Sequence, residues 1–203
     1  MTNLRAAIVK ALALYAYQYK LGGFTLTSGA VSDDYLDCKQ MLCRAGPLWL
    51  VGKWLCSDGV LLPEVTAIGG LTMGADPIAI ACSLTPTPNP PRFWFSVRKE
   101  PKSHGSKRLI EGAVVPGAHV CVVDDVCTTG VSTIRAIRAC RAEGLIVAQV
   151  IVLVDREEQD GMANIQRELG ELVSIQALTT KSEVRAAWQE LQEERLVNGY
   201  GVV

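Results

Sequence analysis

The sequence predicts an α/β fold with a doubly wound, mainly parallel sheet and a small N-terminal hood made of a helix and a hairpin. Two short apolar runs, Val120–Val123 and Leu145–Val154, are typical of strands buried on both faces. Segments with apolar residues at helical spacing alternate with the predicted strands. This alternation favours a sheet with helices on both faces, in which ligands bind beyond the carboxyl ends of the strands.

The first 62 residues are predicted to form the hood. Gly22-Gly23 should end an amphipathic first helix. Phe24–Gly29 and Tyr35–Asp37 alternate like two short strands around a Ser/Asp-rich turn, which predicts a hairpin. Gly46-Pro47 breaks the next segment, and Pro47 suits the first position of a helix that runs to about Cys56. The first helix is indicated by apolar residues at helical spacing: Leu4, Ile8, Leu12, Tyr15 and Tyr19.

The α/β core is predicted over residues 63–180. Val65–Ile68 should form its first strand, Gly69-Gly70 the turn that follows, and Pro77–Leu84 the next helix. After a proline-rich loop, Arg92–Val97 alternates in the way expected of a strand. These elements predict the first unit of the parallel sheet.

The second half of the core is followed by a C-terminal helix and tail, predicted over residues 181–203. The polar stretch 98–108 is predicted to be a long mobile loop. Gly161–Leu169 suits a helix and Val173–Leu178 a last strand. Thr180-Lys181-Ser182-Glu183 matches a capping box, which predicts the start of the final helix.

Length and composition bound the kinds of protein that this chain can be. Its 203 residues predict a single domain, 1–203, with a sizeable core. A formal net charge of −1 argues against an extended nucleic-acid-binding surface. Seven cysteines without C-x-x-C pairs indicate free thiols in a reducing compartment. No apolar run could cross a bilayer and no signal-peptide pattern is present, so we expect a cytoplasmic protein without membrane or nucleic-acid partners.

The stretch 120–133 carries the densest chemical signal in the chain. Asp124-Asp125 follows the buried strand Val120–Val123, at the point where the strand should surface into solvent. Small and hydroxylic residues come next and lead into a helix from about Ile134 to Glu143. Backbone N–H groups, hydroxyls and the positive end of a helix dipole suit a phosphate, while paired carboxylates suit the hydroxyls of a ribose. The stretch therefore predicts a sugar-phosphate site.

This stretch resembles the phosphoribosyl-diphosphate (PRPP) motif of the type I phosphoribosyltransferases, in which four apolar residues precede an acidic pair and a Thr/Gly-rich phosphate loop. Two other interpretations are an ordinary strand end whose aspartates cap a helix, and a Walker B strand. No G-x-x-x-x-G-K-[ST] occurs in the sequence, and Gly69, Gly70 and Gly74 do not form G-x-G-x-x-G, so neither nucleotide motif is supported.

A second resemblance is more specific. Arg98-Lys99-Glu100-Pro101-Lys102-Ser103-His104-Gly105 closely resembles the catalytic loop of the orotate phosphoribosyltransferases. Its cations could clamp a diphosphate, although charge alone favours a solvated surface loop. Phe24–Lys39 is similar to the substrate-binding hairpin of that family, Gly69–Pro77 to its first active-site loop, and Val154-Asp155-Arg156 to the strand end with its orotate-binding arginine.

The resemblance implies a fold and a set of roles. It implies a Mg²⁺-dependent enzyme that uses PRPP and orotate, in which Thr128 and Arg156 bind orotate and the metal ion is held mainly by PRPP and water. Lys99 would act in its own subunit, whereas Arg98, Lys102 and His104 would reach into the neighbouring site of a homodimer. These four cationic residues would bind PRPP and act in catalysis. The resemblance also assigns PRPP binding to the motif residues Asp124, Asp125, Val126, Cys127, Thr128, Thr129, Gly130, Val131, Ser132 and Thr133.

Several alternatives remain open at the level of sequence. Arg156 follows a buried strand and could instead form a surface ion pair. The PRPP motif also suits a transferase for a purine or another pyrimidine, and a PRPP-sensing regulator without turnover. Two departures from the family are visible: Thr27 stands where many members have a lysine, and Met73-Gly74 where many have Tyr-Lys.

Overall fold

A six-stranded sheet lies at the centre of the fold in the computed structural model, which describes residues 2–25, 31–87, 92–100 and 108–197. The strand order is β5-β4-β3-β6-β7-β8, with β5 antiparallel and the other neighbours parallel. This confirms the predicted fold class. In chain order the elements are α1 (Thr2–Tyr15), β1 (Tyr17–Thr25), β2 (Val31–Leu36), α2 (Cys38–Leu42), α3 (Ala45–Leu55), β3 (Ala67–Leu71), α4 (Ala75–Leu84), β4 (Phe93–Val97), β5 (Ile110–Gly112), β6 (His119–Cys127), α5 (Val131–Ala142), β7 (Ile146–Asp155), α6 (Gly161–Leu169), β8 (Ser174–Thr180) and α7 (Lys181–Val197).

The sheet separates two hydrophobic cores, and strand β6 contributes to both. Val120 and Val122 pack on the side of α5 and α6, whereas Cys121 and Val123 pack on the side of α1, α3 and α4. Successive side chains of a strand point to opposite faces, and both faces are covered here, so all four residues are buried. Helices on both faces thus explain why this strand is apolar without alternation.

The hood consists of α1, the antiparallel hairpin β1–β2 and the helices α2 and α3. The prediction that the first helix spans about twenty residues was wrong, because α1 ends at Tyr15 and β1 begins at Tyr17. The aromatic rings of Tyr17 and Tyr19 lie 5.6 and 5.9 Å from that of Trp188 in α7, measured between ring centroids. This packing favours the strand over another turn of helix.

Gly69-Gly70 forms part of strand β3 and not a turn after it, so the predicted end of this strand was wrong. Every residue of β3 is buried. A Cβ atom at Gly69 would lie 2.1 Å from the carbonyl oxygen of Phe95, and one at Gly70 would lie 2.1 Å from that of Val123. The glycines therefore allow the neighbouring backbones to approach closely.

The predicted strand Phe24–Gly29 was misplaced, because β1 spans Tyr17–Thr25 and begins seven residues earlier; the remaining predicted boundaries differ from the structure by at most four residues. α3 begins at Ala45, which places Pro47 in its first turn, and α4 begins at Ala75. The sequence did not predict α2 or β5, which have only five and three residues. The capping box is confirmed: the Glu183 N–H donates to Thr180 Oγ1 at 3.2 Å, and the Thr180 N–H donates to Glu183 Oε2 at 3.4 Å. Among the described helices, none is long and apolar enough to cross a membrane.

Gly70→Ala should lower the free energy of unfolding by about 3 kcal/mol, the upper range for inserting a methyl group into a close-packed interior. Chemical denaturation of both proteins measures this loss. Gly46→Ala is the matched control, because a Cβ atom there meets nothing within 4 Å. It should raise stability by about 0.5–1 kcal/mol, since it lies in a helix. Equal effects of the two substitutions would contradict the steric explanation.

Candidate active site

The candidate site lies where the order of the strands reverses. From β3 the chain passes to β4 on one side, and it later returns to β6 on the other side of β3. In open sheets of this kind, the loops that leave the carboxyl ends of such strands diverge, and ligands bind in the crevice between them. The segment 72–74 and the motif 120–133 lie on its two sides.

Asp124 and Asp125 lie within strand β6 and are buried, with 5% and 7% of their surfaces exposed. The prediction that they surface at the strand end was wrong, because β6 continues to Cys127. Pairing with β7 carries the strand further, with Cys127 opposite Asp155. Two carboxylates are consequently held side by side with little access to water.

Asp124 is fixed by two hydrogen bonds. The Thr133 hydroxyl donates to Oδ2 at 2.8 Å, and the Asp125 N–H donates to Oδ1 at 3.0 Å. Burial and the adjacent charge of Asp125 raise the pKa of Asp124, and the two hydrogen bonds oppose this rise. The pKa is about 7 as a result. The carboxyl group is thus close to its titration point at neutral pH.

Asp125 is contacted by the hood. Lys39 Nζ lies 3.2 Å from Asp125 Oδ2 and 3.7 Å from Asp37 Oδ1. Lys39 ends the predicted hairpin segment Phe24–Lys39, but the sequence assigned it no role because α2 was not predicted. Asp37 is the residue that could have indicated the start of α2, because aspartate is a common helix N-cap. Its side chain accepts a hydrogen bond from the Lys39 N–H at 3.2 Å.

Gly74 faces the acid pair from the other side of the crevice. A Cβ atom there would lie 2.5 Å from Asp125 Oδ1 and 3.1 Å from Asp124 Oδ1. A glycine is therefore required for the backbone to come this close to the carboxylates. Lys39 places a cation beside the same carboxylates, whereas the side chain at position 74 supplies none. Thr27, the other departure from the family pattern, lies outside the described residues.

The phosphate loop connects β6 to α5 and is supported by α6. Gly130 has φ +77°, and a Cβ atom there would lie 2.7 Å from the Gly161 carbonyl oxygen. Asn164 Nδ2 donates to the Thr129 carbonyl oxygen at 3.0 Å. The N-terminus of α5, including Val131, Ser132 and Thr133, follows this turn. The loop is thereby held at the positive end of a twelve-residue helix, an arrangement that favours an anion.

Val126 and Cys127 complete the motif as the last residues of β6. The Cys127 side chain is buried, and a Cβ atom at Gly161 would lie 2.6 Å from its sulfur. Burial raises the pKa of the Cys127 thiol to about 12, so this cysteine is a packing residue beside Thr128.

Arg156 lies at the end of β7, next to the phosphate loop. Its backbone N–H donates to the Cys127 carbonyl oxygen at 2.9 Å. Arg156 Nη2 lies 3.3 Å from Glu158 Oε1, which Lys181 Nζ also contacts at 2.8 Å. The alternative of an ion pair is thus realised, but the residue is 8% exposed and Nε is buried without a partner among the described residues. The guanidinium group thus has a buried N–H for which the described residues supply no acceptor.

The structure describes only the two ends of the cationic loop, residues 98–100 and 108. Arg98 Nη1 lies 3.7 Å from Glu111 Oε1, and the Arg98 N–H bonds to the Leu109 carbonyl oxygen at 2.8 Å. Lys99 is exposed. Lys102 and His104 lie outside the described residues, so their predicted roles are not tested.

The carboxylate oxygens of the acid pair are the potential magnesium ligands at this site. Over the ranges that the structure describes, no group of three or more His, Cys, Asp or Glu side chains could hold a metal ion. Asp124 and Asp125 present hard carboxylate oxygens, the donor type that Mg²⁺ prefers, but both are already engaged by Thr133 and Lys39. This donor set fits an ion that is held mainly by substrate oxygens.

The chain is similar in sequence to orotate phosphoribosyltransferases, although no protein-family model matches it. An orotate phosphoribosyltransferase from Aquifex aeolicus is 46% identical over 148 residues, which are 71% of this chain and 79% of the relative. One from Nostoc sp. is 39% identical over 194 residues, or 94% of this chain and 90% of the relative.

Solved structures lead to the same result. The orotate phosphoribosyltransferase of Mycobacterium tuberculosis in complex with Fe(III) dicitrate has a TM-score of 0.74 and 30% identity, and the match covers 89% of this chain and 98% of that one. The same enzyme in complex with PRPP gives a TM-score of 0.68 and 26% identity, with 90% and 92% covered. The acid pair, the phosphate loop and these relatives together show that the chain belongs to the orotate phosphoribosyltransferase family.

Proposed function

We propose that the protein transfers the phosphoribosyl group of PRPP to orotate, giving orotidine 5′-phosphate and diphosphate. This reaction belongs to de novo pyrimidine (UMP) biosynthesis and makes the protein a glycosyltransferase of the pentosyltransferase class. The observation that carries the proposal is the buried guanidinium of Arg156, whose Nε has no partner among the described residues, directly after the strand that pairs with the strand of Asp124 and Asp125. A site for a planar carboxylate and a site for a ribose phosphate are thereby adjacent.

The residues of the site divide the substrates between them. Thr128 to Thr133 surround the 5-phosphate at the N-terminus of α5, and Asp124 and Asp125 accept hydrogen bonds from the ribose hydroxyls. Arg156 and Thr128 hold orotate. As the bond from ribose carbon 1 to diphosphate breaks, positive charge develops on the ribose, and two nearby carboxylates stabilise it. Catalysis is then chiefly positioning and electrostatics.

A magnesium ion, held mainly by PRPP and water, would supply positive charge to offset the charge that develops on the leaving diphosphate. The loop 98–108 adds its own cations to the same end of the substrate and excludes water that could hydrolyse PRPP. Lys99 acts within its subunit, and Arg98, Lys102 and His104 serve the neighbouring site of a homodimer. The protein acts in the cytoplasm.

The direct test is the ultraviolet absorbance of orotate on mixing with protein, PRPP and Mg²⁺, while diphosphate is assayed in parallel. We expect loss of the orotate signal with an equal amount of diphosphate, and no reaction in EDTA. If orotate is unchanged while PRPP is consumed with adenine, guanine, hypoxanthine or uracil, the base specificity is wrong. If PRPP binds without turnover of any base and the protein binds DNA or RNA at physiological salt, a regulator is the better interpretation.

Lys102→Ala and His104→Ala should each lower kcat by about 10²-fold or more, the scale for losing one preorganised donor to a transition state. Steady-state kinetics with orotate and PRPP measure the loss. Lys10→Ala is the control, because Lys10 of α1 is exposed and lies 3.7 Å from Glu194 of α7. An unchanged kcat in both loop variants would remove these residues from catalysis.

A further inference from the structure

A second reactive centre lies away from the crevice, where helix α3 of the hood crosses helix α4 of the core. The two helices approach closely at Gly52: a Cβ atom there would lie 2.6 Å from the Ala81 carbonyl oxygen and 2.5 Å from Thr85 Oγ1. Cys56 follows Gly52 by one helical turn and therefore lies on the same face. Cys82 follows Ala81 directly. The glycine contact thus brings two thiols together.

The sulfur atoms of Cys56 and Cys82 are 3.7 Å apart. Cys56 is half-buried and lines a cavity of about 400 Å³ that opens beside the residues preceding β3 and β4, whereas Cys82 is buried behind it. A reagent that enters the cavity meets Cys56 first. A disulfide bond is about 2.05 Å long, so the two sulfur atoms, now 3.7 Å apart, would have to move closer together to form one.

The surroundings of Cys56 favour its thiolate. Contact with the Cys82 thiol lowers the pKa of Cys56, and the charges of Arg92 and Lys53 act in the same direction against the effect of burial, so that the pKa is about 7. Arg92 also lines the cavity, and its buried Nε has no partner among the described residues. The pKa of Cys82 is raised by its hydrogen bond to Cys56 and by burial. Asp58 is the acidic residue that lines the cavity.

We propose that Cys56 and Cys82 form a thiol pair that hydroperoxides convert reversibly into an intramolecular disulfide. The Cys56 thiolate attacks the peroxide, so that an S–O bond forms and the O–O bond breaks, giving a sulfenic acid and, after protonation of the leaving oxygen, an alcohol, or water where the oxidant is hydrogen peroxide. The Cys82 sulfur then attacks the Cys56 sulfur. The S–S bond forms, the S–O bond breaks, and the hydroxyl leaves as water with the Cys82 proton. Two electrons pass from the sulfurs to the peroxide.

The disulfide would join the hood to the core. α4 begins directly after Gly74, which contacts the acid pair, and α3 belongs to the hood that supplies Lys39. A covalent bond between the two helices would restrain the relative movement of hood and core around the crevice. The thiol pair lies at the amino ends of β3 and β4, opposite the candidate active site, so this proposal does not depend on phosphoribosyl transfer.

The test is to treat the full chain with a small molar excess of hydrogen peroxide, block remaining thiols by alkylation and map the peptides by mass spectrometry. We expect a peptide pair that links Cys56 to Cys82, a fall in titratable thiols from seven to five, and full reversal by dithiothreitol. Cys82→Ser should stop the reaction at a sulfenic acid on Cys56, which dimedone traps.

Cys43→Ser is the matched control, because Cys43 is exposed and lies outside the cavity. The linked peptide should persist in this variant. In the unaltered protein, oxidation of Cys43 while Cys56 remains free, or an intermolecular disulfide through Cys43 in place of the linked peptide, would overturn the proposal. The peptide map of the unaltered protein decides the question even if Cys82→Ser does not fold, and none of these measurements uses PRPP or orotate.

Discussion

Replacement of Arg156 by alanine is expected to lower kcat/KM for orotate by about 10³-fold, because a bound carboxylate that loses its cationic partner in a buried site costs about 3–5 kcal/mol. Arg156 is 8% exposed, and its side chain has little contact with solvent that could replace it. The KM for PRPP should change little. Steady-state kinetics with each substrate varied separately give the two values.

Two further variants sharpen the interpretation of this result. Arg156→Lys keeps the charge but loses the planar pair of donors, so it should recover only part of the activity. Arg138→Ala is the matched control, because Arg138 pairs at 2.7 Å with Glu168 and its side chain is 69% exposed. Equal losses for orotate and PRPP in Arg156→Ala would indicate damage to the fold and would contradict a role in orotate binding.

Asp124→Asn should lower kcat by up to about 10³-fold and at the same time stabilise the free protein at pH 8. The loss of activity follows from removing a carboxylate beside the developing positive charge of the ribose. The gain in stability follows because the folded state raises the pKa of Asp124 from 3.8 to about 7, which means that the fold disfavours its charged form. Asparagine removes this charge and still offers an acceptor, while the Thr133 hydroxyl can turn to accept from the new amide.

The pH dependence of this gain distinguishes it from a general effect on packing. Between pH 4 and 7 the folded protein binds more protons at Asp124 than the unfolded chain, so this group makes stability fall as pH rises. The advantage of Asp124→Asn should therefore be roughly 2–4 kcal/mol at pH 8 and should vanish near pH 4. Thermal unfolding of both proteins across this range measures it. Glu64→Gln, at an exposed carboxylate, should show no such trend; a constant difference for Asp124→Asn would contradict the assignment.

The sequence predicted the fold class and the composition of the site better than it predicted local boundaries. Buried parallel strands leave an apolar pattern that does not depend on their exact ends, so β6 and β7 were found. Gly69-Gly70 was assigned to a turn because glycine is common in turns. Its actual cause is the close backbone of Phe95 and Val123, which are distant in sequence. Such contacts cannot be predicted from local propensity.

The site shows the same division between local and long-range information. Asp124, Asp125 and the phosphate loop are contiguous in the sequence and were predicted together. Lys39 was missed as a partner of Asp125 because the two are 86 residues apart and α2 is only five residues long. The burial of the acids was also missed, since it depends on the length of the neighbouring strand β7. Residue identity therefore predicted the chemistry, and tertiary pairing determined its electrostatic state.

The packing of α7 against the hood has a consequence for how the protein is made. Arg5 Nε donates to the Leu178 carbonyl oxygen at 2.8 Å, across 173 positions of the chain, and Trp188 covers Tyr17 and Tyr19 of the hairpin. During synthesis, the first helix and hairpin leave the ribosome long before the helix that covers them. Contacts of such sequence separation form late, because a long loop must close before they contribute. The hood, including the helix that carries Lys39, therefore reaches its final packing only after nearly the whole described chain has been translated.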